Sequence, residues 1–338
     1  MFEKINTVAA LAISAVALGS AATTATAQEY PFRDITTAVV WGAGGGTDTI
    51  NRMIMAEMEA FLPVSINVIN QTGGVAGSNG MVYVANQPDD GYTLVGLSES
   101  NVTAAVQGGW TERFDYWYPF IVGGSPDLVS VPANSPHETL QELIEAAQAA
   151  PGTIPAAASG AGSIHHLNLL ALQNGADAEF LFVPYQGSAP GQEAAIAGEV
   201  QLVVTSLAEQ AALIEGGQLL PLAMLTPDSV EIAGMTVPSA FDMYDGLDQY
   251  LPLMQAIGFA VHDSAPDEVK QVLSEAFSQA IQSDTVAEWA AANNYAVSGA
   301  HGEDAQEIFS TLESNFAYTL QELGATTVDP SSLGIEAP

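Results

Sequence analysis

Four glycine- and serine-rich turns constrain this chain more than any other feature, because each lies between a strand-like run and a helix-like run. They occupy 42–48, 73–78, 159–163 and 185–188. Before the first turn, 35–41 is rich in Thr and Val. After it, Ile50, Met53, Ile54, Met58, Phe61 and Leu62 recur at helical spacing. Residues 64–69 alternate as a strand, 81–85 read as a helix, and 92–97 as a further strand. The middle third repeats the theme, with strands at 128–131, 156–158, 180–183, 200–204 and 219–225. Helices fall there at 139–149, up to Asn174, at 188–197 and at 207–214. The last part is helical, with Val269, Val272, Leu273, Ala276, Phe277, Ala280 and Ile281 on one stripe. Such strand–loop–helix units predict α/β layers. There is no low-complexity linker, which suits two lobes that share the chain more than once.

The same turns carry the chemistry. Glycine lets a backbone approach a ligand closely. The first turn of a helix leaves N–H groups without partners, and the helix dipole adds about half a positive charge there. A carboxylate or phosphate can therefore be held without Lys or Arg. That matters here, since 39 Asp and Glu stand against 5 Lys and Arg, for a net charge of −34 over 338 residues. The basic residues are Lys4, Arg33, Arg52, Arg113 and Lys270. They form no basic patch, which excludes nucleic-acid partners and a polybasic membrane anchor. Adaptation to salt explains the acidity more simply than a cationic partner does. A hydrophobic share of 48% excludes disorder. The absence of Cys removes thiolate metal sites, disulfides and cysteine nucleophiles.

Competing motifs fail on detail. The first turn lacks the Gly-Lys-Ser/Thr of a nucleotide phosphate loop, and Thr47 stands where a dinucleotide fingerprint needs glycine. No Gly-x-Ser-x-Gly elbow occurs. His137, His165, His166, His262 and His301 make no His-x-x-x-His pair, so no metal site is expected. His165 and His166 sit one turn inside a helix start, where one could face a cleft; a packed or solvent-facing ring is the simpler expectation. Thr47, Ser163 and Ser188 are candidate helix caps. Asp48 and Arg52 are spaced to pair on a helix surface. Trp41 either walls the ligand or belongs to the core.

The N-terminus reads as an export signal: Lys4, an apolar run over 8–18, and the small-x-small site Ala25-Thr26-Ala27. The run is shorter than the roughly 20 residues a spanning helix needs. Cleavage near Ala27 is expected, leaving a chain that starts at Gln28 in the periplasm.

In order and spacing, several segments resemble the substrate-binding proteins of tripartite tricarboxylate transporters, the Bug family. They are Gly44-Gly45-Gly46-Thr47-Asp48 with Arg52, Asn70-Gln71-Thr72-Gly73-Gly74-Val75-Ala76-Gly77, and Pro88-Asp89-Asp90-Gly91-Tyr92-Thr93-Leu94. Val183-Pro184-Tyr185-Gln186-Gly187-Ser188-Ala189-Pro190 and Gly198-Glu199-Val200 complete the set. The resemblance covers roughly 30–325. It implies an α/β, two-lobed periplasmic-binding-protein fold, type II-like, with a ligand cleft between the lobes. Lobe one would be 28–131 plus 253–338, and lobe two 132–252. The family holds small carboxylates largely through backbone amides and water. Carried onto this chain, that gives Trp41, Ala43, Gly44, Gly45, Gly46, Thr47 and Asp48 in lobe one. In lobe two it gives Ser159, Gly162, Ser163, Tyr185, Gly187, Ser188 and Thr205. Departures stand beside the match: Val40-Trp41-Gly42-Ala43 replaces the family's Pro-Phe-Ala-Pro, and Thr205-Ser206 stand where an aspartate is common. The family's Gly-Thr-Pro before a late helix is reduced to Ser264-Ala265-Pro266. The resemblance implies capture of a small organic anion, a di- or tricarboxylate, by a monomer that delivers it to transporter membrane subunits. Neither cofactor, metal nor catalytic residue is expected. A protein of the same fold that reports to a membrane sensor kinase is the alternative, and an exported enzyme a third reading. The charge also leaves room for a neutral or zwitterionic ligand.

Overall fold

The structure is a computed structural model and describes residues 29–249, 251 and 253–338. The export reading of 1–27 lies outside the described residues.

The chain starts with strand β1 (Ile35–Val39), helix α1 (Gly46–Met58), β2 (Ile66–Asn70), α2 (Ser78–Ala85), β3 (Thr93–Ser98) and β4 (Trp117–Gly124). It crosses to β5 (Asp127–Pro132), then alternates α3 (Leu140–Ala149), β6 (Pro155–Ala157), α4 (Ile164–Gly175), β7 (Leu181–Val183), α5 (Ser188–Ile196), β8 (Leu202–Ser206), α6 (Leu207–Glu215) and β9 (Leu219–Met224). A small hairpin, β10 (Val230–Ile232) and β11 (Met235–Val237), follows. The chain then returns through β12 (Ile257–His262), α7 (Asp267–Ala280), α8 (Asp284–Ala292), β13 (Ala296–Val297) and α9 (Glu303–Glu322).

Two sheets result. The first has the order β13-β4-β12-β3-β1-β2, and the second β7-β6-β8-β5-β9. β1 runs parallel to β2 and β3, while β12 enters antiparallel between β3 and β4. In the second sheet β6 runs parallel to β7 and β8, and β5 lies antiparallel between β8 and β9. The chain therefore reaches the second sheet through residues 125–126, ahead of the expected boundary at 131/132. The reason is pairing: β5 finds its hydrogen-bond partners in β8 and β9, and its own residues do not reveal that choice.

Apolar periodicity builds both cores. On α1, Ile50, Ile54, Met55 and Met58 are buried against one face of the first sheet, beside Phe120 and Phe259 stacked 4.5 Å apart. On its other face, Phe309 and Phe316 of α9 pack with Trp117. On α3, Leu140, Leu143, Ile144 and Ala147 form the buried stripe, and the Thr139 hydroxyl caps the helix. Burying each large apolar side chain contributes about 1.5–3 kcal/mol. Ile164 and Leu167 of α4, although in lobe two, join the lobe-one cluster that holds Trp41. The lobes therefore meet through apolar contact as well as hydrogen bonds.

Candidate functional site

The loops after β1, β6, β7 and β8 converge between the two sheets. Their helices α1, α4, α5 and α6 turn their N-termini toward one another there. Backbone bonds close the gap. Gly42 N–H donates to the Gln186 carbonyl at 2.7 Å, and Ala76 N–H to the Ala161 carbonyl at 2.9 Å. The Thr103 hydroxyl donates to the Gly162 carbonyl at 2.7 Å, and Ile164 N–H to the Ser100 hydroxyl at 2.9 Å. These bonds enclose a cavity of about 20 Å³, room for about one water. The two sets of loops are therefore in direct contact around this cavity.

Two glutamates and a histidine dominate the cavity. Glu209, on α6, reaches across the cleft: its Oε1 accepts the Gly46 N–H at the start of α1 at 2.7 Å. Its Oε2 accepts the Ser206 N–H and hydroxyl at 3.0 and 2.7 Å, completing the capping box of α6. One carboxylate thus compensates two helix dipoles. His165, on the first turn of α4, places Nδ1 2.7 Å from Asp127 Oδ2 and Nε2 3.3 Å from Glu209 Oε2. Burial disfavours the imidazolium, but Asp127 and Glu209 outweigh it and hold the ring raised to about 9. Burial also opposes ionisation of Glu209. The imidazolium, the Gly46 amide and Ser206 overcome that and hold its carboxyl below the usual range. Glu99 lies on the lobe-one side. Its Oε2 accepts the Ala256 N–H at 2.6 Å and its Oε1 the Ser100 hydroxyl at 2.8 Å. There burial dominates and pushes the carboxyl up to about 7.

The remaining wall is uncharged. Gly187, the residue before α5, offers no side-chain cap. The first-turn amides of Ser188 and Ala189 therefore have no helical acceptor, and Pro190 has no N–H. Thr47, Ser159 and Ser188 line the cavity, are buried, and make no side-chain hydrogen bond among the described residues.

Of the residues singled out from sequence, Trp41, Gly45, Gly46, Thr47, Ser159, Ser163 and Ser188 line the cavity. The others do not line it. Ala43 and Gly44 are exposed, and Gly44 N–H donates to Asp48 Oδ2 at 2.9 Å. Asp48 is buried and bound by Asn70 at 2.8 Å and Arg52 at 2.9 Å, so it braces the first turn. Gly162 N–H donates to His166 Nδ1 at 3.2 Å. Tyr185 N–H donates to the Ser159 carbonyl at 3.0 Å, and Gly187 sits beside Gly42. The buried Thr205 hydroxyl accepts from Gln192 at 2.9 Å. Of the three candidate caps, Ser163 alone caps, accepting His166 N–H at 3.2 Å. Gly45 and Gly187 hold the cap positions of α1 and α5, leaving Thr47 and Ser188 inside those helices. His165 faces the cavity, whereas His166 stacks on Phe182 at 4.0 Å. Glu99, His165, Glu209, Ser98, Ser100 and Gln255 were not among the expected cleft contacts. His165 alone gave a signal, its place beside a candidate loop; Glu209 is 163 residues from the amide it binds.

Two α/β lobes closed over a polar cavity define a periplasmic-binding-protein fold. Structure comparison agrees. BugD, a periplasmic binding protein, superposes with a TM-score of 0.81 at 22% identity, covering 88% of this chain and 99% of that one. A Rhodopseudomonas palustris protein solved with adipate gives 0.77 at 23% identity, with 88% and 99% covered. MatC from R. palustris, solved with bound malate, gives 0.75 at 21% identity, with 87% and 98% covered. The profile of the tripartite tricarboxylate transporter family receptor, TctC, matches residues 50–315, and the chain belongs to that family. Among its relatives, the UPF0065 protein of the tcbD-tcbE intergenic region of Pseudomonas sp. (strain P51) is 31% identical over 194 residues. That match spans about half of each chain, 54% in both cases. The UPF0065 protein of the gbd 5'region of Cupriavidus necator is 27% identical over 277 residues, covering 81% of this chain and 83% of the relative.

Proposed function

We propose that this protein captures a small organic carboxylate in the cleft between its lobes. It then delivers the solute, unchanged, to the membrane subunits of a tripartite tricarboxylate transporter. The observation that carries the reading is the uncapped start of α5, where buried Ser188 lines the cavity beside the unbonded hydroxyls of Thr47 and Ser159. A carboxylate there gains several hydrogen bonds to oriented donors without any basic side chain. Family membership and relatives solved with adipate and malate support the same chemistry. In this reading the chain works in the periplasm as a monomer, after removal of 1–27. Its two lobes, meeting at 125–126 and ahead of Ile257, part and close on the solute by population shift. Calorimetric titration of the mature chain against mono-, di- and tricarboxylates tests it. Saturable binding of one class is expected, with a stability gain of about 2.7 kcal/mol at a hundred times the dissociation constant. Absence of binding by every carboxylate would overturn it.

A further inference from the structure

The turn after β3 sits where the two lobes and the returning chain meet. Glu99, in that turn, is tied to the return segment twice. Its N–H donates to the Ala256 carbonyl at 2.9 Å, and its Oε2 accepts the Ala256 N–H at 2.6 Å. Its Oε1 accepts from the Ser100 hydroxyl at 2.8 Å. The same hydroxyl accepts the Ile164 N–H, at the start of α4 in lobe two, at 2.9 Å. One buried carboxylate is thus linked to the opposite lobe through a single hydroxyl. A hydroxyl oxygen offers two lone pairs. A proton on Glu99 Oε1 can therefore be donated to Ser100 while Ser100 still accepts the Ile164 amide, so the bonding pattern accommodates either protonation state.

The groups packed around Glu99 set which state suits contact. Glu209 of α6 and His165 of α4 line the same cavity, and no Lys or Arg does. Asp127 of β5 holds the His165 ring at 2.7 Å. On α1, Asp48 and Arg52 pair with each other at 2.9 Å. The Tyr295 hydroxyl stands beside Glu209 at the Gly46 turn, kept neutral by burial and by that carboxylate. α9 packs on the turn as well, and its buried acid, Glu313, is paired with Arg113 at 2.6 Å. The unbalanced charges among these groups are Asp127 and Glu209 against one imidazolium, net −1; ionised Glu99 makes that −2. Glu99 is buried where the loops meet, and its cavity side gains water when they part. Burial disfavours a charged carboxyl. Its displacement to about 7 has burial outweighing the amide, the hydroxyl and the imidazolium.

We propose that Glu99 is a proton-operated latch between the lobes: its neutral form favours contact of the loops, and its ionisation favours their separation. Contact is then coupled to proton uptake, so the contact equilibrium weakens as pH rises. A solute bound between the lobes is held more firmly below neutral pH than above it, whatever its chemistry; that consequence alone rests on the capture reading.

The test is amide hydrogen exchange on the full mature chain without added solute, at fixed ionic strength from pH 5.5 to 8, corrected for intrinsic exchange. The Gly42, Gly46, Ala76 and Ile164 amides bond across the lobe boundary and report parting of the loops. Their protection is expected to fall at least about tenfold over that range, with a midpoint near 7, while amides inside β3 and β8 keep theirs. In Glu99→Gln the side-chain amide stands in for the protonated acid, accepting from Ala256 and donating to Ser100. Protection in that variant should stay at the acid level throughout. Boundary amides whose protection does not change in the wild type overturn the latch. So does a fall shared equally by β3 and β8, which is global loosening, and so does a fall that persists in Glu99→Gln, which places the titration on another group. The wild-type profile alone decides if the variant does not fold. Each of these results leaves solute capture standing, since no solute is present.

Discussion

His165 is the residue on which the cleft's electrostatics turn. It stands between Asp127 and Glu209, almost fully buried with both. Removing it leaves two buried carboxylates facing each other, and loss of one partner from such a set costs about 3–5 kcal/mol. His165→Ala should therefore lower the unfolding free energy by that amount in urea titration at pH 7. Direction with pH follows from each group. The imidazole is raised to about 9, so its stabilisation is full below its ordinary value and is lost as pH rises through about 9. Glu209 is lowered, so its share is present above the ordinary carboxylate range and is lost as pH falls through its folded value. Glu99 works the other way. Raised to about 7, it favours the folded state at acid pH and loses that advantage as pH climbs toward about 7. Between pH 5 and pH 8 the wild type should lose about 1–3 kcal/mol relative to Glu99→Gln. Parallel urea curves for the two proteins would contradict that placement of the proton.

At the scale of elements, closure depends on how closely loops approach. Gly187 adopts φ +147°, and a Cβ there would lie 2.9 Å from Gly42 N. Gly187→Ala should hold the lobes apart and weaken solute binding by about ten- to a hundredfold while leaving the fold intact. Titration calorimetry beside near-ultraviolet circular dichroism checks both halves. Ser163→Ala removes the α4 cap and the bond to the Ala158 carbonyl, and should cost about 1 kcal/mol in thermal unfolding. Much of this layer was legible in sequence. The stripe Leu140, Leu143, Ile144 and Ala147 has the period of a helix, and the strand–glycine–helix order predicts which N-termini gather. What escaped is long-range. The sheet to which Asp127–Pro132 belongs is decided by β8 and β9. The cleft glutamates escaped because a buried acid looks, in one dimension, like any other in a chain with 39 of them.

The whole molecule carries −34, spread over a surface with 5 basic residues in the full chain. Mutual repulsion opposes the compact state and is screened over about 10 Å at 0.1 M salt. Unfolding temperature should rise as ionic strength increases from about 0.01 to about 0.5 M, as differential scanning fluorimetry will show; a flat response would mean the carboxylates are too dispersed to repel. The same field disfavours approach of an anionic solute, so capture must come from local dipoles inside the cleft. Capture therefore depends on closure rather than on attraction at a distance. The chain has no cysteine, so one introduced at exposed Asn86 in lobe one and another at exposed Glu193 in lobe two can carry a dye pair. The decisive measurement is the dye-to-dye distance during titration with the solute that binds. A saturable change in that distance, with the same midpoint as the binding heat, is the predicted result. An unchanged distribution at full saturation would contradict capture by closure of the two lobes.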